Sequence, residues 1–325
     1  MDSTTFSRVF PERAIDRLRG IANLGAEPLI GSLTADTAAA RLSTVDILVT
    51  GWGSPRIDGS VLELAPRLTA IVHAGGSVKG HLDPVCWHRG ISVSSAVAAN
   101  AIPVAEYTAA MIVLANKQVL PIIAANLASR QQVDGASLFP AMGNYRKRVG
   151  IVGASRIGRL VIGALAGTDL ELVVADPYLT AEQAKALGAG LLPLDELVSS
   201  SDVVSIHAPD LPETHHLLDA RRIALLRPGA TVINTARAAL IDTPALIGRL
   251  RGGDIFAILD LVDPDPLPAD SELWELPTVV LTPHLAGSMG TELERLADTA
   301  IDEVARIAAG EPLLHAVAAD LTRSA

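Results

Sequence analysis

The sequence predicts an α/β protein of the doubly wound kind, and three observations carry that prediction. Short apolar runs alternate with helical patterns along most of the chain. One stretch, RVGIVGASRIGRLVIGALAGTDLELVVADP at residues 148 to 177, reads as strand, tight turn, helix and second strand. From there on a polar residue follows each predicted strand: Asp176, His207, Arg237, Asp260 and His284. Open parallel sheets bind ligands outside the carboxyl ends of their strands, so these residues on one edge describe a site.

A chain of 325 residues has room for two domains with sizeable cores. It carries 26 basic and 36 acidic residues, a net charge of -10, which argues against nucleic acid or an anionic membrane as partner and favours small-molecule chemistry. Cys86 is the one cysteine, so an intrachain disulfide or thiolate metal cluster is not expected, in keeping with a reduced cytoplasm. The opening MDSTTFSRVF lacks the basic start and apolar core of a signal peptide. The apolar segment at residues 105 to 128 is interrupted by Asn116, Lys117, Gln118, Pro121 and Asn126, and reads as a buried helix rather than a bilayer span.

In chain order, residues 12 to 24 suit an amphipathic helix, 27 to 30 a short strand and 34 to 42 a second helix. Residues 45 to 50 form a strand ending at Gly51, Trp52 and Gly53, followed by a helix at 60 to 64 and a strand at 68 to 73. The chain enters its first helix without the apolar strand that normally starts such a domain; the expectation is that residues encoding that strand precede the given start, unless residues 4 to 10 supply it. The loop AGGSVKG at 74 to 80 can turn several backbone N–H groups onto a carboxylate, or can be a simple glycine turn with Lys79 in solvent. A strand at 91 to 94 leads through Asn100 and Pro103 into a long helix starting near Val104.

The stretch at 148 to 177 has the form of a dinucleotide-binding fingerprint. Gly153 makes the tight turn, Gly158 allows helix and strand to pack closely, and Asp176, roughly 20 residues on, is placed to accept from the adenosine ribose. Ser155 stands where the middle glycine is expected; its hydroxyl can bond a phosphate oxygen or its extra atoms can hold the phosphate off. Pro177, Tyr178 and Leu179 follow Asp176 with no arginine to meet a 2′-phosphate, which favours NAD over NADP.

Motifs along nearly the whole chain resemble the D-isomer-specific 2-hydroxyacid dehydrogenase family, which includes phosphoglycerate, glyoxylate and hydroxypyruvate reductases. They are VDILVTGWG, APRLTAIVHAGG, ISVSSAVAANAIPVAEYTAAMIVLANK, VGIVGASRIGR, SIHAPDLPETHHLLD, INTARAALID and LDLVDPDPLPADSELWELPTVVLTPHLAGS. The resemblance implies two Rossmann-like doubly wound domains. An NAD-binding domain at 102-287 would be inserted into a flavodoxin-like substrate domain at 1-101 and 288-325, to which a helix near 289 to 309 returns. It also implies an NAD-dependent enzyme interconverting a 2-oxo acid and a D-2-hydroxy acid, usually as a homodimer through the cofactor domain.

Carried over by position, the resemblance makes Arg237 of NTARAAL, His284 of TPHLAGS and Asp265 of VDPDPLP the catalytic residues. Arg237 would hold the substrate carboxylate and polarise the C2 oxygen. His284 would donate a proton to that oxygen during reduction and remove it during oxidation. The acid would fix the tautomer and favour the protonated imidazole. Family members usually carry glutamate there. Asp265 is shorter by about 1.5 Å, so its contact needs a small backbone shift or a bridging water. Asp263 competes for the role but matches an earlier, noncatalytic acidic position.

Implied cofactor contacts are Gly153, Ser155, Arg156, Ile157, Gly158 and Asp176 at the adenosine and pyrophosphate end. His207, Ala208, Thr235, Ala236, Arg237, Asp260, His284 and Ala286 would complete the set, with His207 read as structural or cofactor-proximal. Gly75, Gly76, Ser77 and Val78, with Arg237, would bind substrate; no metal is expected. Ser77 and Lys79 depart from the usual AGVGVDNID, and Lys79 either selects a second anionic group or points to solvent. Trp52 either walls the cleft or packs. The given sequence stops soon after GEPLLHAV, short of a C-terminal regulatory domain, so amino-acid feedback is not expected. The other class of reading is a noncatalytic, corepressor-like NAD(H)-binding module. A formate dehydrogenase fits less well, because such sites place glutamine where Asp265 stands.

Overall fold

The computed structural model describes residues 1, 3–25, 33 and 36–319. The chain divides into two compact units, Met1–Ala101 with Ser288–Ala325, and Ile102–Gly287. The second is thus an insertion in the first.

In the first unit, β1 (Ile47–Gly51), β2 (Ala70–Ala74) and β3 (Ser92–Ser95) form a parallel sheet in the order β1-β2-β3. All five residues of β2 are buried, because both sheet faces are covered. Val72 and Ala74 face a core shared with the helices Ser3–Val9, Glu12–Ile21 and Leu293–Ala308, while Ile71 faces another that includes Val61, Leu62 and Cys86. The helix Leu293–Ala308 buries Leu293, Leu296, Ala297, Ala300, Ile301 and Val304, the three- and four-residue spacing of one helical face. Residues 4 to 10 supply no strand; they lie largely in the helix Ser3–Val9. The strand expected at 27 to 30 lies outside the described residues.

In the second unit seven parallel strands follow: β4 (Arg148–Val152), β5 (Glu171–Ala175), β6 (Gly190–Leu191), β7 (Val203–Ile206), β8 (Thr231–Asn234), β9 (Phe256–Leu259) and β10 (Val279–Leu281). Their order is β10-β9-β8-β7-β4-β5-β6, so the strand order reverses between β4 and β7. Doubly wound sheets bind their ligand at such a switch point. Alternate residues enter opposite cores: Val152, Val204, Ile206 and Val232 one, Val149, Ile151, Val203 and Ile233 the other. Ile151, Val161 and Ile162 are at most 1% exposed, and each such side chain contributes about 1.5–3 kcal/mol by burial.

Two helices differ from expectation. The long helix starts at Val97, not near Val104, and runs through Pro103, where the ring removes one backbone donor without ending the helix. It stops at Asn116, and Gln118, at φ 53°, turns the chain into a second helix, Val119–Ser129. The single segment expected at 105 to 128 is therefore two helices. Val97–Asn116 has the length and apolar content of a membrane span. Its Ala105, Ile112 and Ala115 lie instead in a core of the second unit, where Tyr107 and Thr108 hydrogen-bond to residues at strand ends. The helix Arg156–Leu165 buries Gly158, Val161, Ile162 and Leu165, while Leu160 and Ala164 are exposed.

Candidate active site

The glycine turn after β4 needs glycine for two different reasons. Gly153 has φ +95°, and a Cβ there would lie 2.8 Å from the Ala208 amide nitrogen and 2.9 Å from its Cα. Only glycine combines that conformation with so close a neighbour. At Gly158 a Cβ would sit 2.2 Å from the carbonyl oxygen of Gly153, so the first helical turn rests directly on the strand end. Ser155 is the N-cap: its Oγ accepts from the Gly158 amide at 3.4 Å. The hydroxyl in place of the usual glycine thus has a local structural partner.

Asp176, at the end of β5, is half-buried and bound to backbone on both oxygens. Oδ2 accepts from the Ala154 amide and Oδ1 from the Tyr178 amide, both at 2.8 Å. The carboxylate therefore clamps the turn to the neighbouring strand, with acceptor capacity left on each oxygen. The amides of Arg156 and Ile157 have no partner among the described residues, which leaves two donors at the positive end of a ten-residue helix. Glycine-lined close approach, free helix amides and a fixed carboxylate fit a dinucleotide's pyrophosphate and ribose.

His207 follows β7 and is 3% exposed, with Nε2 2.8 Å from Ser205 Oγ and a buried Nδ1 that has no partner among the described residues. Burial lowers its pKa to about 3, so the ring is neutral. Such a ring is packed beside the glycine turn rather than poised for proton transfer. Ala208 follows it, against Gly153.

After β8, Asn234 organises a turn that sequence reading did not single out. Its Oδ1 accepts from the Ala236 amide at 3.0 Å and its Nδ2 donates to the Arg237 carbonyl at 2.8 Å. Thr235 and Ala236 are buried, whereas Arg237 is exposed. Its Nη1 donates to the Ala236 carbonyl at 2.6 Å, and among the described residues the guanidinium has no carboxylate partner. Its remaining donors are free for an acid.

Asp260 ends β9 and is 3% exposed. Its carboxylate accepts from Thr282 Oγ1 at 2.5 Å, from the Leu285 amide at 2.9 Å and from the Ala286 amide at 3.0 Å. Its carbonyl accepts from the His284 amide at 3.1 Å. This wraps residues 282 to 286 around one carboxylate. His284 lies within that wrap at φ 53°, a left-handed conformation uncommon outside glycine, with its side chain exposed. Its ring has no hydrogen bond among the described residues. Asp265 is also exposed, and the structure shows no hydrogen bond between it and His284. Asp260 and His284 are thus brought together through backbone, while Asp265 and His284 are not joined.

In the first unit Gly75, Gly76 and Val78 are buried and Ser77 is exposed. A Cβ on Gly75 would meet His73 Nε2 at 2.6 Å and Trp52 Nε1 at 3.2 Å, so both rings pack against the loop. His73 is 2% exposed, its Nδ1 lies 2.9 Å from Thr50 Oγ1, and burial holds its pKa at about 3. Ser77 Oγ accepts from the Lys79 amide at 3.2 Å, and the Lys79 side chain is exposed with no ion pair among the described residues.

Comparison with known proteins places the chain in a family. Residues 110–286 match the sequence model described as "D-isomer specific 2-hydroxyacid dehydrogenase, NAD binding domain". D-3-phosphoglycerate dehydrogenase of Mycobacterium tuberculosis is 36% identical over 87% of this chain and 53% of its own length. The enzyme of that name from Methanocaldococcus jannaschii is 30% identical over 91% and 56%. The chain therefore spans about half the length of the curated relatives it matches. Among solved structures, a protein from Thermus thermophilus superposes with a TM-score of 0.79 at 30% identity, covering 96% of this chain and 98% of that one. D-mandelate dehydrogenase of Rhodotorula graminis gives 0.75 at 25% identity, covering 87% and 88%. The relatives named as dehydrogenases do not favour the noncatalytic, corepressor-like alternative.

Proposed function

Since the chain belongs to the D-isomer-specific 2-hydroxyacid dehydrogenase family and carries that family's NAD-binding domain, we propose that it interconverts a 2-oxo acid and a D-2-hydroxy acid. The observation that carries this reading is the contrast at His284: a loop tied to the Asp260 carboxylate by one hydroxyl and two backbone amides, and to its carbonyl by a third amide, presents an exposed imidazole with no hydrogen bond among the described residues. Held by this domain, the cofactor would supply the redox chemistry: hydride from NADH to C2 in reduction, and hydride from C2 to NAD⁺ in oxidation.

Gly153, Arg156, Ile157, Gly158 and Asp176 hold the adenosine and pyrophosphate end, with Ser155 capping the helix. His207, Ala208, Thr235, Ala236, Asp260, His284 and Ala286 line the remainder. Arg237 pairs with the substrate carboxylate and polarises the C2 oxygen through charge-assisted hydrogen bonds. In the first unit, the turn at Gly75, Gly76, Ser77 and Val78 has backbone N–H groups suited to an acid. His284 gives a proton to the C2 oxygen in reduction and accepts it in oxidation. Asp265 supports the imidazolium, reaching it in the working state directly or through one water.

The proposed assembly is a homodimer in a reducing cytoplasm. The helix Val119–Ser129 is strongly apolar yet buries none of its residues, and leaves Ile123 48% and Leu127 73% exposed. A second copy of this chain would cover that face.

The test is NADH consumption by purified protein across 2-oxo acids, including glyoxylate, hydroxypyruvate and dicarboxylic members. Turnover of at least one supports the reading, and preference for a dicarboxylate would identify Lys79 as the recogniser of a second charge. NADH binding without turnover of any acid would contradict it.

A further inference from the structure

Tyr107 and Thr108 are adjacent on the helix Val97–Asn116, and each hydrogen-bonds to a residue next to one of the proposed catalytic side chains. Tyr107 Oη lies 3.1 Å from Thr282 Oγ1, and Thr108 Oγ1 lies 2.9 Å from Thr235 Oγ1. Thr282 is two residues before His284, and Thr235 two residues before Arg237.

The directions of these bonds follow from counting hydrogens. A hydroxyl has one hydrogen to give. Thr282 gives its own to Asp260 Oδ1 at 2.5 Å, so Tyr107 must donate to Thr282. Thr108 donates to the Val104 carbonyl at 2.7 Å, so Thr235 must donate to Thr108. Burial and the nearby Asp260 charge raise the pKa of the Tyr107 phenol, which keeps its proton in place.

Asp260 is buried and has no cationic partner among the described residues. Its charge is stabilised by donors alone: the Thr282 hydroxyl and the Leu285 and Ala286 amides. Those same bonds shape the loop that carries His284.

We propose that Tyr107 and Thr108 are paired positioning residues, one bracing the His284 loop through a Tyr107–Thr282–Asp260 relay and the other bracing the Arg237 turn through Thr235. One rigid helix thereby fixes the spacing between the proton donor and the carboxylate-binding group. The inference rests on the proposed dehydrogenase reading for its catalytic consequence, but the brace itself is a property of the loop.

The test uses Tyr107→Phe, which keeps the ring and its packing, with Thr282→Val, their double variant and Thr108→Val. Steady-state kinetics are read beside amide hydrogen exchange in the intact protein. Tyr107→Phe is expected to lower kcat about five- to tenfold, the size of one net hydrogen bond, while the KM for NADH stays within about twofold. The Leu285 and Ala286 amides should exchange about tenfold faster, because their acceptor is no longer held. The double variant should be no worse than Thr282→Val, since both changes cut one relay. Thr108→Val should lower kcat without altering exchange at Leu285 and Ala286.

A purely packing role predicts that Tyr107→Phe keeps wild-type kcat and exchange, which would overturn the proposal. Additive losses in the double variant would overturn the relay. If the wild-type protein turns over no 2-oxo acid, the function reading fails while amide exchange still decides the brace: faster exchange in Tyr107→Phe supports it, and unchanged exchange overturns it.

Discussion

The two ends of the ligand-facing edge in the second unit are built on different principles. Beside β4 and β5, the polar side chains are themselves tied down: Asp176 accepts two backbone amides and Ser155 caps its helix. Beside β8, β9 and β10, the backbone is tied down, while Arg237 and His284 have no acidic partner among the described residues. Both ends use a buried or half-buried carboxylate as the fastener, Asp176 in one and Asp260 in the other. Under the proposed function, holding a cofactor would call for a fixed shape, whereas moving a proton and gripping an acid would call for free functional groups on a fixed support.

The largest effect is expected beside β8. Arg237→Gln should lower kcat/KM for the 2-oxo acid by about 10²–10³, the scale of losing a charged transition-state donor. NADH affinity measured by fluorescence should change little. A loss confined to NADH binding would make Arg237 a cofactor residue instead.

At the binding end, Gly158→Ala places a methyl group 2.2 Å from the Gly153 carbonyl oxygen, a backbone atom that cannot rotate away. The expected cost is about 1–3 kcal/mol of stability, with weakened NADH binding, read by denaturant titration and fluorescence. Wild-type stability in this variant would mean that helix and strand do not approach as described.

Asp265→Glu tests the proposed support of His284, because the added methylene lengthens the side chain by about 1.5 Å. It should raise kcat, read by steady-state kinetics at one pH with saturating NADH. A lower kcat would indicate that the surrounding segment is already adjusted to aspartate.

A smaller effect concerns pH and stability. His207 is neutral in the folded protein, with a pKa of about 3 against an ordinary 6.5. The unfolded chain binds a proton there first, so stability is lost as pH falls from 6.5 toward 3. His207→Gln should lose less stability than the wild type over that window, as followed by Tm against pH. An identical slope would remove His207 from the acid sensitivity.

Much of the binding end was legible in sequence, because its signal is local. Gly153, Gly158 and Asp176 fall within one βαβ unit, whose strand-turn-helix pattern and acid spacing follow from short-range geometry. The polar residues after the strands were legible for a related reason: parallel strands end on one edge. The supports of the chemical end were less legible. Tyr107 meets Thr282 across 175 residues and Thr108 meets Thr235 across 127, and such pairings depend on how the helix is laid on the sheet. Asn234 lay inside the NTAR motif, but its role as a two-sided clamp depends on the local turn. Which face of the helix at 156 to 165 turns inward has a simpler cause. Apolar residues are spread widely around that helix, from Ile157 and Leu160 to Ile162, and the close approach of Gly158 to Gly153 decides which side is buried.

The most direct measurement is the NADH affinity and turnover of His284→Ala on the same preparation. NADH binding is expected within about twofold of wild type, with a fall in kcat of about 10²–10⁴, the range for loss of a general acid. Retained turnover, or turnover lost only in step with NADH binding, would contradict the assignment of His284 as the proton donor.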